Sequence, residues 1–231
     1  MAVATTSAAA QTLRLDLGEG GGLTERALQL VALVTVLSLA PSLLIVVTSF
    51  TRLVVVLSLL RSALGTQTAP PNVVITALAL FLTAFIMAPV GREAYRAGIE
   101  PLIAGQIGQR EAFERSAAPF RTFMLRNVRE KDLELFTGFA REDRPDTPEG
   151  VGLHVLVPAF MISELRRAFE IGFLLFVPFM IIDLAVASIL MAVGFMMMPP
   201  ATVALPFKLI FFVLVDGWNL LVGSLVQSYG S

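Results

Sequence analysis

Apolar residues along this 231-residue chain fall into four long blocks, which are interrupted by two turns and one polar region. The first block, residues 27–60, exceeds the roughly 20 residues that one helix needs to cross a bilayer. It contains Pro41 and Arg52, so we predict one long kinked helix or one helix continued by a second. The second block, residues 73–90, is long enough to span a bilayer and ends near Pro89.

A polar turn with the sequence RSALGTQTAPPN joins these two blocks. Gly65, Pro70 and Pro71 interrupt helical structure there, and Asn72 is a candidate N-cap for the helix that follows. Two apolar blocks joined by a short polar turn predict a helical hairpin over residues 27–90.

The polarity of the chain changes sharply on either side of this hairpin. Residues 91–150 contain 10 of the 17 basic and 11 of the 18 acidic residues, so we predict a water-exposed region with a helix over residues 118–140. Residues 1–26 lack the basic start and the sustained apolar run of a secretory signal. We predict that they form an N-terminal extension, which ends as a glycine-rich linker.

The last two apolar blocks, residues 171–198 and 206–226, predict a second helical hairpin within residues 151–231. The sequence between them is GFMMMPPATVALPFK, in which Pro199 and Pro200 end the helix. Three consecutive methionines spread over about 200° of a helix and cannot share one face, whereas in a loop they can converge. Because methionine is unbranched and adaptable, the run predicts either apolar filler at a buried turn or a deformable seal.

Composition restricts the class of protein. Hydrophobic residues make up 56% of the chain and charged residues 15%, whereas soluble domains carry about a quarter charged residues. The excess predicts a membrane protein or a large apolar assembly. A net charge of −1 gives no indication of a nucleic-acid partner. The chain has no cysteine and a single histidine, His154, so we expect no metal site and no cofactor.

Charged side chains within apolar blocks are expensive to bury, so they usually pair or serve a function. Glu164 and Arg167 are three residues apart, and Arg166 and Glu170 are four apart, which predicts ion pairs on the surface of one helix. The other candidates for buried polar groups or ion pairs are Arg52, Asp183, Lys208 and Asp216.

These remaining charges allow several arrangements. Arg52 continues a stripe of threonine and serine side chains, which either packs against protein or lets Arg52 extend to a membrane interface. Asp183 has no partner at helical spacing, and we predict that Lys208, Asp183 and Asp216 pair between segments or between subunits. Arg52 and Arg61 lie near the first turn and Lys208 near the second, so the positive-inside rule predicts both turns on the cytoplasmic side.

The motifs give no indication of an enzyme. Asp183 and Asp216 lack the YD and GxGD patterns of intramembrane aspartyl proteases, and the chain has no GxSxG, Walker or GxGxxG motif. A stand-alone secondary transporter or channel is the alternative from another class. Its repeated halves would break at matching positions, whereas the two hairpin turns here differ in sequence.

Five stretches carry a further resemblance: SFTRLVVVLSLLRSALGTQTAPPN, LALFLTAFIMAPV, FMLRNVREKDLELF, VLVPAFMISELRRAFEIGFLLFVPFMIIDLAVASILM and MMMPPATVALPFKLIFFVLVDGWNLLVGSLVQS. In order and spacing they resemble the FliP family, the export-gate subunits of type III secretion systems, over nearly everything after about residue 35. The first turn is similar to flagellar members, with virulence injectisome members as the alternative. Val73 replaces a usual glutamine, and the methionine run is displaced by one, with Phe195 at its start and Met198 in place of a valine.

The resemblance implies an all-α, non-enzymatic core subunit of the flagellar export gate, with membrane-associated helical hairpins and a small helical extracytoplasmic region. Several copies would assemble with FliQ-like and FliR-like subunits into a conical gate, beside FlhB-like and FlhA-like export components. Unfolded flagellar proteins would pass along its axis. The implied location is the bacterial inner membrane within the flagellar basal body, largely on the extracytoplasmic side. The residues implied to form a gasket in the lumen are Phe195, Met196, Met197 and Met198.

Overall fold

The computed structural model describes residues 45–66, 68–140, 150–195 and 197–230, together with isolated positions between residues 27 and 42. The helices are α1 (Phe50–Leu64), α2 (Asn72–Ala94), α3 (Glu100–Ile103), α4 (Gln109–Asn127), α5 (Glu130–Ala140), α6 (Leu153–Val193), α7 (Pro200–Leu214) and α8 (Gly217–Gln227), and a π-helical segment, Tyr95–Ile99, joins α2 to α3. The described residues contain no β-strand. The predicted all-α fold is confirmed.

The chain divides into two compact units, residues 1–42 and residues 43–231. The predicted extension over residues 1–26 lies outside the described residues. In the rest of the first unit, Thr35 Oγ1 donates to the carbonyl of Val31, and Ser38 Oγ donates to that of Val34, each at 2.7 Å. These hydroxyls are therefore satisfied by their own helix and need no protein neighbour.

The first turn ends α1 and starts α2 within a few residues. Gly65 adopts the left-handed conformation (φ 78°) that favours glycine and ends α1. Pro70 and Pro71 follow, and α2 begins at Asn72, directly after Pro71. The expectation that Asn72 caps this helix is wrong, because Pro71 occupies the cap position. The Asn72 side-chain oxygen instead accepts a 2.5 Å hydrogen bond from Arg61 Nη1.

The polar region is helical wherever it is described. Helix α2 continues past residue 90 to Ala94 and runs through the π-helical segment into α3. The helix predicted over residues 118–140 is in fact two helices, α4 and α5. The break occurs because Val128 is extended (ψ 144°), and the backbone N–H of Arg129 bonds to the side chain of Ser163 instead of continuing the helix. Residues 141–149, at the end of this region, lie outside the described residues.

Two described helical stretches are long and apolar enough to cross a membrane, Asn72–Ile103 and Leu153–Val193. A third span is possible if α7 and α8, which meet at an angle of 62°, count as one broken helix. Helix α6 is the longest element, with 41 residues, and contains Pro158 and Pro178. Helix α7 starts at Pro200, six residues before the fourth apolar block, because proline is well tolerated in a first helical turn.

Helix α6 contributes to two buried apolar clusters, so it links the two hairpins to the polar region. One cluster joins α1 and α2 to the second hairpin and includes Leu53, Val56, Leu60, Ile75, Phe179, Leu221 and Leu225. The other joins α4 to the first part of α6 and includes Met87, Phe123, Met124, Val155, Leu156 and Phe160.

Candidate functional site: buried charges and the methionine turn

A buried ion pair joins the start of α1 to the first third of α6. Arg52 Nε donates to Glu164 Oε2 at 2.9 Å, and Arg52 Nη2 donates to Glu164 Oε1 at 2.5 Å. Both side chains are almost completely buried, at 1% and 0% exposure. Arg52 therefore packs against protein and does not extend to an interface. The expected pairing of Glu164 with Arg167 is wrong, because Glu164 faces a partner 112 residues away on another helix.

Two residues that follow α8 complete this ion-pair network. Arg52 Nη1 donates to Ser228 Oγ at 2.9 Å, and the guanidinium carbon lies 3.8 Å from the centroid of the Tyr229 ring. The Tyr229 hydroxyl donates to Glu164 Oε2. Burial raises the pKa of Tyr229 far above its usual range, and the negative charge of Glu164 raises it further. The hydroxyl thus stays protonated and acts as a donor. Ser228 and Tyr229 were missed from sequence because they follow the last apolar block and their partners lie on helices far away in the chain.

Ser163, the neighbour of Glu164, holds the joint between α4 and α5. Its hydroxyl accepts a hydrogen bond from the backbone N–H of Arg129 at 3.0 Å and donates to Asp132 Oδ2 at 2.7 Å. Ser163 is fully buried and Asp132 nearly so. Ser163 and Glu164 are consecutive in α6 and fix different parts of the chain. Ser163 holds the polar region, whereas Glu164 holds α1 and the residues that follow α8.

A second ion pair joins α6 to α7. Lys208 Nζ donates to Asp183 Oδ2 at 2.6 Å and also to the backbone carbonyl of Ala63, at the end of α1, at 3.2 Å. The Lys208 side chain is buried, whereas that of Asp183 is partly exposed. Asp183 Oδ1 is buried and has no hydrogen-bond partner in the described part of the chain.

The other two candidate charges, Asp216 and Glu170, lie at the surface of the single chain. Asp216 stands between α7 and α8 with a positive φ of 51°, and its carboxylate accepts a 3.1 Å hydrogen bond from Asn219 Nδ2. Glu170 accepts a 3.1 Å hydrogen bond from Arg166 Nε, at the predicted four-residue spacing. This pair is exposed, so solvent screens it and it contributes little to stability.

The methionine turn, residues 195–198, projects from the end of the second hairpin. Gly194 ends α6 in the left-handed conformation, with φ 86°, and Pro199 and Pro200 start α7. Met197 is fully exposed, and Phe195 and Met198 are about half exposed. Met196 lies outside the described residues. In the single chain these side chains are therefore not filler at a buried turn.

The fold and these contacts define a helical membrane protein whose buried charges cross-link its helices. The described residues contain no cluster of three or more histidine, aspartate or glutamate side chains that could hold a metal ion. Each of the two ion pairs connects helices that are distant in sequence. These ion pairs therefore hold the helices in place, and the apolar methionine turn stays exposed in the single chain.

Comparison with known proteins gives the family. The FliP family profile matches residues 33–225. The flagellar biosynthetic protein FliP of Caulobacter vibrioides is 57% identical over 229 residues, which cover 99% of this chain and 86% of the relative. The proteins of the same name from Rhizobium meliloti and Bacillus subtilis are 54% and 50% identical, over 85% and 87% of this chain and 81% and 91% of their own lengths. The chain belongs to the FliP family, and the predicted flagellar branch is supported.

Proposed function

We propose that this chain, a FliP-family core subunit of the flagellar export apparatus, lines the channel through which unfolded flagellar proteins are exported. The observation that supports this most is the family match, which extends over residues 33–225 at high identity to flagellar relatives. In this role the chain is a structural gate component and not an enzyme. Its buried charges hold helices together rather than act on a substrate.

The methionine turn is the proposed seal of this channel. A fully exposed Met197 between a half-exposed Phe195 and Met198 is unfavourable in water, because large apolar side chains are normally removed from it. Copies of the turn arranged around an axis would cover each other. Methionine side chains would then close the opening and still adapt to chains of varied shape.

The proposed setting is a complex in the bacterial inner membrane, within the flagellar basal body and largely on its extracytoplasmic side. Several copies of this chain would assemble with FliQ-like and FliR-like subunits and contact FlhB-like and FlhA-like components. No nucleic acid takes part. The exposed apolar surfaces of α2 and α6 are in keeping with such packing, because contiguous apolar surface of this kind marks contact with lipid or with other chains.

Alanine substitution of Met196, Met197 and Met198 tests the seal. We expect the assembled gate to leak, because alanine leaves space where three long side chains met. The measurement is membrane conductance to ions, read with a potential-sensitive dye in cells that carry the variant.

The matched control replaces Met180 and Met191, which are exposed methionines of α6 outside the turn. The control should leave the conductance unchanged. Co-purification of the complex shows that both variants assemble. Normal conductance in an assembled turn variant, or an equal leak in the control, would refute the seal.

A further inference from the structure

We propose that the end of α2 and the π-helical segment after it bind an anionic phospholipid. Arg92 and Arg96 hold the phosphate of this lipid, and the rings of Phe81 and Phe85 lie along its acyl chains. The inference goes beyond the proposed function, because it rests on the membrane location of the chain and not on a role in an export channel.

One face of α2 carries both kinds of side chain. Phe81 is 76% exposed and Phe85 is 68% exposed. Arg92 follows them by eleven and seven residues, close to three and two complete turns, so the three positions fall within about 40° around the helix axis. Arg96 is one turn further along, in the π-helical segment, and both arginines are exposed. This face therefore changes from aromatic to basic along its length.

The change occurs where the helix is expected to leave the hydrocarbon. The stretch Asn72–Ile103 is a candidate membrane span, and its apolar part, residues 73–90, is about 27 Å long, close to the hydrocarbon thickness of about 30 Å. Arg92 follows this part directly. Tyr95 is 48% exposed, and tyrosine is frequent at membrane interfaces. The arginines thus lie at the level of lipid headgroups, and Phe85, about 10 Å from Arg92 along the axis, lies at the level of acyl chains.

The charges of these two arginines are not neutralised within the described part of the chain. Neither Arg92 nor Arg96 forms a hydrogen bond or an ion pair there. Glu93 lies about 100° around the helix from Arg92, and Glu100 forms no ion pair with Arg96 among the described contacts. Two unpaired guanidinium groups one turn apart, beside an apolar surface, favour an anion that is attached to hydrocarbon.

A phospholipid such as phosphatidylglycerol has this chemistry. Guanidinium groups bind phosphate oxygens in a forked geometry, so two of them can hold one phosphate group. Phosphatidylcholine carries its own positive charge beside the phosphate, whereas phosphatidylglycerol carries none, so the arginines prefer the latter. The exposed rings distinguish a lipid from free phosphate, because only a ligand with hydrocarbon removes their apolar surface from water.

Quenching by spin-labelled lipids tests the site. The chain contains no cysteine, so Ala88→Cys provides a unique thiol for a fluorophore at an exposed position between Phe85 and Arg92. The full chain, with the subunits that co-purify with it, is placed in phosphatidylcholine vesicles. Either phosphatidylglycerol or phosphatidylcholine with a spin label on an acyl chain is then added. We expect phosphatidylglycerol to reach half-maximal quenching at a mole fraction about tenfold lower, because exposed arginines attract anionic lipid.

The substitutions Arg92→Gln and Arg96→Gln, made together, should remove the preference for phosphatidylglycerol. Unchanged quenching by phosphatidylcholine shows that this variant is still inserted in the membrane. The matched control is Arg110→Gln with Arg115→Gln, which removes the same charge from two exposed arginines of α4 that already form ion pairs. The control should keep the preference, and an equal loss in both variants would refute the site.

Three further outcomes would also refute it. Equal quenching by the two lipids, before any arginine is replaced, would show that the face does not select an anionic headgroup. Quenching by neither lipid would show that another chain covers this face. Displacement of phosphatidylglycerol by an excess of inorganic phosphate would show that the arginines bind the free anion rather than a lipid.

The salt dependence gives a second measurement that needs no arginine substitution. Because salt screens exposed charges, the preference for phosphatidylglycerol should fall as the concentration of sodium chloride rises. A preference that does not change with salt would contradict the site, even if the variant without both arginines does not assemble. Neither transport nor conductance is measured in these experiments, so a failure of the lipid site is distinguishable from a failure of the proposed function.

Discussion

At the scale of single residues, the pair of Arg52 and Glu164 shows how a charge is retained inside an apolar protein. Arg52 uses Nε, Nη1 and Nη2 as donors, and both oxygens of Glu164 accept hydrogen bonds. Removing two charges from water is costly, and only good geometry with further hydrogen bonds compensates for it. Ser228 and Tyr229 provide those further bonds, which explains why the residues after α8 fold back onto α1.

Glu164→Gln tests the importance of this pair. The substitution keeps the shape of the side chain but leaves the Arg52 charge buried without an anionic partner. We expect the free energy of unfolding to fall by about 3–5 kcal/mol. The measurement is denaturant unfolding of the purified protein in detergent.

Glu114→Gln is the matched control, because Glu114 forms an exposed pair with Arg110 that solvent screens. It should leave the stability almost unchanged. An equal effect of the two substitutions would contradict the structural role of the buried pair.

At the scale of elements, the π-helical segment sets how closely the helix after α2 approaches α4. A Cβ at Gly98 would lie 2.1 Å from Ser116 Oγ and 2.3 Å from the backbone carbonyl oxygen of Ala112. Ser116 Oγ also donates to the carbonyl of Ala94 at 3.3 Å. The widened turn and the missing side chain thus let two helices of the polar region pack almost backbone to backbone.

Gly98→Ala should be destabilising because the clash includes backbone atoms, which cannot turn away as a side chain can. We expect a loss of about 1–3 kcal/mol in the free energy of unfolding. Gly91→Ala, in α2, is the control, since a Cβ there meets nothing within 4 Å. It should instead stabilise by about 0.5–1 kcal/mol, because alanine is the better helix former. Thermal unfolding in detergent measures the change in stability of each variant. A change in the same direction for both variants would contradict the close packing at Gly98.

The pattern of apolar blocks predicts the helices well and their partners poorly. Blocks and proline-rich turns are local, so the all-α class and the positions of both turns follow directly from the sequence. The break at Val128 and the partner of Glu164 depend on side chains that are far away in the chain, namely Ser163 and Arg52. The spacing of residues on a helix predicts contacts only between positions three or four apart. It therefore predicted Arg167 as the partner of Glu164.

At the scale of the whole molecule, the two candidate membrane spans are mostly exposed in the single chain. In the strongest 18-residue windows of the two candidate spans, only 17% and 11% of the residues are buried. Contiguous exposed apolar surface of this kind marks contact with lipid or with other chains. These two helices therefore present apolar surface that is suited to contact with lipid or with other chains.

The mass of the purified complex tests this view. The chain has a mass of 24.9 kDa, and we expect it to purify in mild detergent as a particle of several copies with small apolar subunits. Light scattering corrected for detergent gives the protein mass, and gel analysis gives the subunits. A monomer or dimer of this chain alone would contradict the export gate and would favour a stand-alone transporter.

The reach of the Arg52 network also has a consequence for how the protein is made. Glu164 follows Arg52 by 112 residues, and Ser228 follows it by 176. At a synthesis rate of about 5–20 residues per second, Arg52 waits about 6–22 s for its counter-ion to be added. During that interval the Arg52 charge has no anionic partner, so burying α1 in an apolar environment is costly. The buried contacts of Arg52 can therefore be completed only after α6 and the residues that follow α8 have been synthesised.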